Sequence, residues 1–88
     1  MKPLSILGST GSIGVSTLDV VGAHGDRFAV TALAAGGNLD LLERQIARHR
    51  PELVAVRDAE LAAELTRRVG SRCRVVHGRD GLIEVAVH

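Results

Sequence analysis

The chain has 88 residues, with eleven basic against ten acidic side chains for a formal charge of +1, one aromatic residue (Phe28) and one cysteine (Cys73). A length of this order supports one core that buries about 60 to 65% of the unfolded surface, which excludes a cofactor domain joined to a separate substrate domain. Near-neutral charge without clustered aromatics argues against nucleic acid as a partner, and a lone cysteine excludes an internal disulfide and reads as a small buried apolar residue in a reducing compartment.

Leu4 to Leu7, an apolar run stopped by glycine, reads as a strand buried on both faces, as in parallel sheets. Preceded only by Met1, Lys2 and Pro3, it is too short for a signal peptide, and no run approaches a membrane span; the expectation is a cytoplasmic protein with no membrane contact. Ser12 to about Ala23 is helical in pattern, with Ile13, Thr17, Val20 and Val21 on the expected inner side, Ser16 and Asp19 on the other, and Gly22 and Gly25 as stops. Phe28 to Ala35 reads as a second strand.

Asn38 opens the best-marked helix. It is a strong N-cap, Asp40 and Glu43 lie in the first turns, Arg48 and His49 in the last, and Pro51 ends the run. Leu39, Leu42 and Ile46 form its buried stripe, with an Asp40 to Arg44 ion pair outside. Leu53 to Val56 is a third strand. Asp58 caps a third helix, with Leu61, Leu65 and Val69 inward, a Glu64 to Arg68 pair outward and Gly70 at its end. Arg74 to His77 is a fourth strand, and the tail from Asp80 to His88, whose Leu82, Ile83 and Val85 to Val87 fit either a helix or a strand, is read first as a helix capped by Asp80. The order β-α-β-α-β-α-β predicts an α/β fold: a Rossmann-like parallel sheet with helices on both faces, the first part of a doubly wound domain.

The octapeptide LGSTGSIG, Leu7 to Gly14, joins the first strand to the first helix. In such folds ligands bind beyond the carboxyl ends of the strands, and a helix N-terminus presents amides to phosphate. Gly8 permits the tight turn, Gly11 lets a pyrophosphate approach the backbone, and Gly14 lets the helix pack against the strand. The amides of Thr10, Gly11, Ser12 and Ile13 are the expected donors, joined by the hydroxyls of Ser9, Thr10 and Ser12. The spacing G-x-x-G-x-x-G is one residue longer than the commonest dinucleotide fingerprint, and its place between strand and helix is what marks it as a nucleotide site.

About 20 residues on, an NAD site usually carries an acid for the ribose 2′-hydroxyl. Here the positions are Ala34, Ala35, Gly36, Gly37 and Asn38, none of them acidic, so NADPH is favoured over NADH. No Lys or Arg stands in the loop either; Asn38 and the amides of Gly36 and Gly37 are the expected contacts, and Arg57 reads first as a solvated charge beside the Asp58 cap and only distantly as a phosphate ligand. No carboxylate pair or metal-ligand spacing appears, and Ser9, Ser12 and Ser16 lack a base. His24 and His49 sit near helix C-termini, where the dipole favours a cation, and read as structural. No catalytic and no metal-binding residue is expected within the chain.

ILGSTGSIGVSTLDVV at the start, AAGGN at Ala34 to Asn38 and PELVAV at Pro51 to Val56 together resemble the N-terminal end of the 1-deoxy-D-xylulose 5-phosphate reductoisomerase family, in register over the whole chain. The resemblance implies an NADPH-dependent enzyme of non-mevalonate isoprenoid biosynthesis. Such an enzyme isomerises a phosphosugar, 1-deoxy-D-xylulose 5-phosphate, at a divalent metal (Mg, Mn or Co) and reduces the product to 2-C-methyl-D-erythritol 4-phosphate. It implies that Thr10, Gly11, Ser12 and Ile13 hold the pyrophosphate side of NADPH, and Gly36, Gly37 and Asn38 the 2′-phosphate side. Some family members carry a basic residue where this chain has Gly37. The resemblance further implies a homodimer, with metal and substrate ligands beyond residue 88 and residues 1–88 as the N-terminal part of a longer protein. Two other readings stay open on sequence: another NADP-linked dehydrogenase, such as the aspartate-semialdehyde type, and a non-catalytic nucleotide-sensing module.

Overall fold

The structure, a computed structural model, describes residues 1–88. Its elements are β1 (Lys2–Leu7), α1 (Ser12–Ala23), β2 (Phe28–Ala34), α2 (Leu39–His49), β3 (Leu53–Val56), α3 (Ala59–Val69), a single 3₁₀ turn over Gly70–Arg72, β4 (Arg74–His77) and α4 (Gly78–Ala86). The four strands lie in the order β1-β2-β3-β4, all parallel. Each crossover therefore steps one strand in the same direction, and right-handed crossovers of that kind place α1, α2 and α3 on one face.

The larger core fills that face, built from Ile6, Val30, Leu33, Val54 and Val56 of the sheet against Leu18, Leu42, Ile46 and Leu65 of the helices. A smaller cluster of Ala32, Ala34, Leu53, Ala55 and Val85 lies on the other side, where α4 contacts all four strands and so runs back beneath the sheet towards β1. Helices thus cover both faces, three against one. The alanines keep that second face flat, and Gly81 lets α4 come close: a Cβ there would stand 3.0 Å from Val76 Cγ2 and 3.1 Å from its carbonyl carbon.

Leu4 pairs with Val30 but Ser5 with Ala32, which leaves Thr31 as a bulge. The extra residue explains why Val30 and Leu33 share the main core although strands alternate every two residues. Thr31 Oγ1 donates to the Leu4 carbonyl at 3.3 Å across the irregularity.

The helix caps follow the sequence in two cases: Asn38 Oδ1 accepts from Leu41 N at 3.2 Å and Asp58 Oδ1 from Leu61 N at 3.0 Å. The stripe of Leu39, Leu42 and Ile46 is buried as expected. Four expectations are corrected. In α1 the buried residues are Gly14, Leu18 and Val21, whereas Ile13 is 82% and Val20 60% exposed and Thr17 is exposed. Asp40 pairs with Arg68 at 2.7 Å rather than with Arg44, because the long guanidinium reaches across from α3. Arg68 is thereby taken from Glu64, which pairs with Arg67 at 3.2 Å. Asp80 lies in the first turn of α4 and does not cap it, since the helix already begins at Gly78.

Candidate functional site: a glycine turn at the carboxyl edge of the sheet

The strand registers bring four connections to one edge. Leu7 lies beside Ala34, Ala34 beside Ala55, and Val56 beside His77. The glycine turn after β1, the Gly36–Asn38 loop after β2, Arg57 after β3 and Gly78 after β4 therefore emerge side by side.

Each glycine of the turn has its own physical role. Gly8 has φ +70°, a left-handed conformation that side chains other than glycine rarely adopt. Gly14 is a packing glycine: a Cβ there would stand 2.1 Å from the Gly8 carbonyl oxygen and 2.8 Å from Ser9 Cα. Gly11 is required by neither constraint. Its φ of −77° and ψ of 168° are ordinary extended backbone, and its Cβ would meet only the Gly8 carbonyl oxygen, at 3.5 Å. A glycine free of both constraints, beside an open hollow, is what close approach of a ligand to the backbone calls for.

The hollow measures about 550 Å³ and is lined by Leu7, Gly8, Gly11, Ser12, Ile13 and Thr17 among others. Gly11, the N-cap of α1, provides no side-chain cap. The amides of Thr10, Ser12, Ile13 and Gly14 have no hydrogen-bond partner in the chain, whereas the Gly11 amide is spent on the Gly8 carbonyl at 3.1 Å. Of the expected donors, Thr10, Ser12 and Ile13 thus have free amides while that of Gly11 is engaged, and the amide of Gly14 is free beside them. An uncapped helix N-terminus with several free amides carries partial positive charge and suits phosphate.

Ser9 corrects another expectation. It is 0% exposed, its amide donates to the Ala34 carbonyl at 3.0 Å, and its hydroxyl is buried without a partner, so it faces the fold and not the hollow. Gln45, which the sequence reading passed over, is buried in α2, and its Nε2 donates to the Ser9 carbonyl at 2.7 Å. One turn residue is thus held from β2 and from α2. A lone polar residue within the Leu42 and Ile46 stripe was the available signal.

At the second loop Asn38 uses its Oδ1 as a cap and leaves its side-chain nitrogen free. The amides of Gly36, Gly37 and Asn38 are likewise unpaired within the chain. The Arg57 guanidinium lies beside Gly37, its two terminal nitrogens 3.5 and 3.6 Å from where a Cβ would stand. No group of three or more His, Cys, Asp or Glu side chains comes together in a way that could hold a metal ion. No helix is long and apolar enough to cross a membrane. Partial burial pushes the Cys73 thiol up from its ordinary value. His49 departs from the cation expected at a helix end: burial, and then the neighbouring Arg48 charge, hold its pKa below the usual histidine value.

A parallel sheet with an uncapped, glycine-opened first helix and a second loop free of acid defines a dinucleotide-binding α/β domain. The family model described as 1-deoxy-D-xylulose 5-phosphate reductoisomerase matches residues 4–88, and the chain belongs to that family. Among curated relatives, the reductoisomerase of Geotalea uraniireducens is 58% identical over 98% of this chain, and reductoisomerase 1 of Bacillus cereus is 49% identical over all of it. The chain spans 22% and 23% of the lengths of those two relatives. Among solved structures, the Zymomonas mobilis reductoisomerase in complex with NADPH superposes with a TM-score of 0.89 at 35% identity, covering 97% of this chain and 23% of that one. A DOX-P reductoisomerase in complex with NADPH, fosmidomycin and magnesium gives a TM-score of 0.91 at 32% identity, covering 98% of this chain and 22% of that one.

Proposed function

We propose that residues 1–88 are the NADPH-binding N-terminal part of a reductoisomerase that converts 1-deoxy-D-xylulose 5-phosphate to 2-C-methyl-D-erythritol 4-phosphate in non-mevalonate isoprenoid biosynthesis. The observation that carries the proposal is the uncapped N-terminus of α1, with its free amides opening on the hollow beside Gly11. Thr10, Ser12, Ile13 and Gly14 hold the pyrophosphate by amide donation, and Gly11 lets it approach. Gly36, Gly37 and Asn38 hold the adenosine end, with free amides and the Asn38 side-chain nitrogen as donors. When bound, NADPH supplies the hydride for the reduction.

This stretch positions the donor and contributes no acid, base or metal ligand of its own; a divalent metal (Mg, Mn or Co), the phosphosugar and the contacts of a homodimer fall to other parts of the protein. A reducing, cytoplasmic setting suits the lone Cys73, whose thiol partial burial shifts upward. The test is an equilibrium titration of the purified protein with NADPH and NADH, with circular dichroism to establish that it is folded. Preferential binding of NADPH is expected; folded protein that binds neither, or prefers NADH, would refute the proposal.

A further inference from the structure

The loop after β2 has no cation of its own, although a 2′-phosphate carries close to two negative charges at neutral pH. The nearest candidate comes from the next strand. Arg57, directly after β3, lines with Ala35, Gly36 and Arg79 a hollow of about 350 Å³ at the carboxyl ends of β2, β3 and β4. Its Nε donates to Asp58 Oδ2 at 3.4 Å, and Asp58 is itself fixed by its cap bond to Leu61 N. That contact restrains one side of the guanidinium. Nη1 and Nη2 make no hydrogen bond within the chain and sit beside Gly37, 3.5 and 3.6 Å from where a Cβ would stand.

We infer that Arg57 is the specificity residue of this site, donating its free fork to the 2′-phosphate of NADPH held on the Gly36–Asn38 loop. The inference rests on the proposed placement of the adenosine end at that loop. A guanidinium suits the task because its two terminal nitrogens match two phosphate oxygens at once. Asp58 is an orienting partner and not a competitor, since one long contact to a side chain 68% exposed leaves most of the charge available. Arg79, in the first turn of α4, lines the same hollow, but the atoms nearest a Gly37 Cβ belong to Arg57 and Leu61.

The test compares wild-type protein with Arg57→Ala, Arg57→Lys and Arg79→Ala by equilibrium titration with NADPH and NADH, and with 2′,5′-ADP and 5′-AMP as probes of the phosphate alone. Arg57 is exposed, so the fold survives its replacement, and circular dichroism verifies this. Arg57→Ala is expected to weaken NADPH and 2′,5′-ADP about 10- to 100-fold and to leave NADH and 5′-AMP unchanged, as loss of a charge-assisted hydrogen-bond pair requires. Arg57→Lys should fall in between, and the NADPH affinity of wild-type protein should drop more steeply with salt than that of Arg57→Ala. A preference for NADPH that persists in Arg57→Ala, or that is lost in Arg79→Ala alone, overturns the assignment of Arg57 and leaves the nucleotide site standing. Wild-type protein that binds neither nucleotide overturns the site and the assignment together.

Discussion

Replacing Gly14 with alanine adds one methyl group at the most crowded point of the turn. The new Cβ would lie 2.1 Å from the Gly8 carbonyl oxygen and 2.8 Å from both the Gly8 carbonyl carbon and Ser9 Cα. All three are backbone atoms of a turn pinned by the Ala34 carbonyl and by Gln45, so no side chain can swing aside. Ordinary contact, at about 3.4 Å, needs α1 and the turn to part by about 1.3 Å. Overpacking costs about 1 to 3 kcal/mol, and rigid neighbours put this case at the top of that range. The helix-propensity gain of alanine over glycine returns at most about 1 kcal/mol. The net loss of about 2 kcal/mol corresponds to a drop of about 8 to 16 °C in Tm for a chain of this size.

Gly11 supplies the contrast, since its extended backbone and open surroundings accept a side chain without strain. Gly11→Val should melt close to wild type yet lose NADPH binding, because its side chain occupies the line of approach. Thermal melts by circular dichroism and NADPH titration of both variants check the pair. A Gly14→Ala protein as stable as wild type, or a Gly11→Val protein that binds NADPH as before, would refute the division of roles between the two glycines.

Gln45→Leu removes the donor to the Ser9 carbonyl and leaves that buried oxygen unpaired, so it should destabilise by about 1 to 3 kcal/mol and loosen the turn, measurable by denaturant unfolding and a weaker NADPH Kd. Asp58→Ala loses the α3 cap and should cost about 1 kcal/mol, while Asp58→Asn retains most of it, again by denaturant unfolding. Because the folded state lowers the pKa of His49, the unfolded chain takes up the proton more readily, and stability should fall as pH drops through the unfolded histidine value towards the lower folded one. Melts at pH 7.5 and 5.5 should therefore differ less in His49→Gln than in wild type, and the NMR titration midpoint of His49 should lie below that of an unstructured histidine.

The alternation of elements was legible because each strand is a short apolar run bounded by glycine or a cap, and Asn38 and Asp58 mark their helices by chemistry that the fold then uses. The roles of Gly8 and Gly14 were legible for the same reason. The inner face of α1 was not, since Ile13, Val15, Leu18, Val20 and Val21 spread around the helix and leave the side opposite Ser16 and Asp19 poorly defined. Its rotation is set by Gly14, whose close contact brings Leu18 and Val21, four and seven residues on, to the sheet. The ion pairs differ from the i,i+4 expectation because neighbours along a helix are not the only partners of a long arginine: Arg68 reaches Asp40 on α2. The placement of Arg57 over Gly37 depends on β3 lying beside β2 in one register, which no spacing along the chain records.

The central claim is that phosphate binds at the free amides of α1, and amide NMR of the isotope-labelled protein during NADPH titration tests it residue by residue. The largest shifts are expected at Thr10, Ser12, Ile13 and Gly14, with a second group at Gly36 to Asn38 and little change at Gly70 to Arg74 on the opposite edge. Binding of NADPH with those turn amides unmoved would contradict the claim.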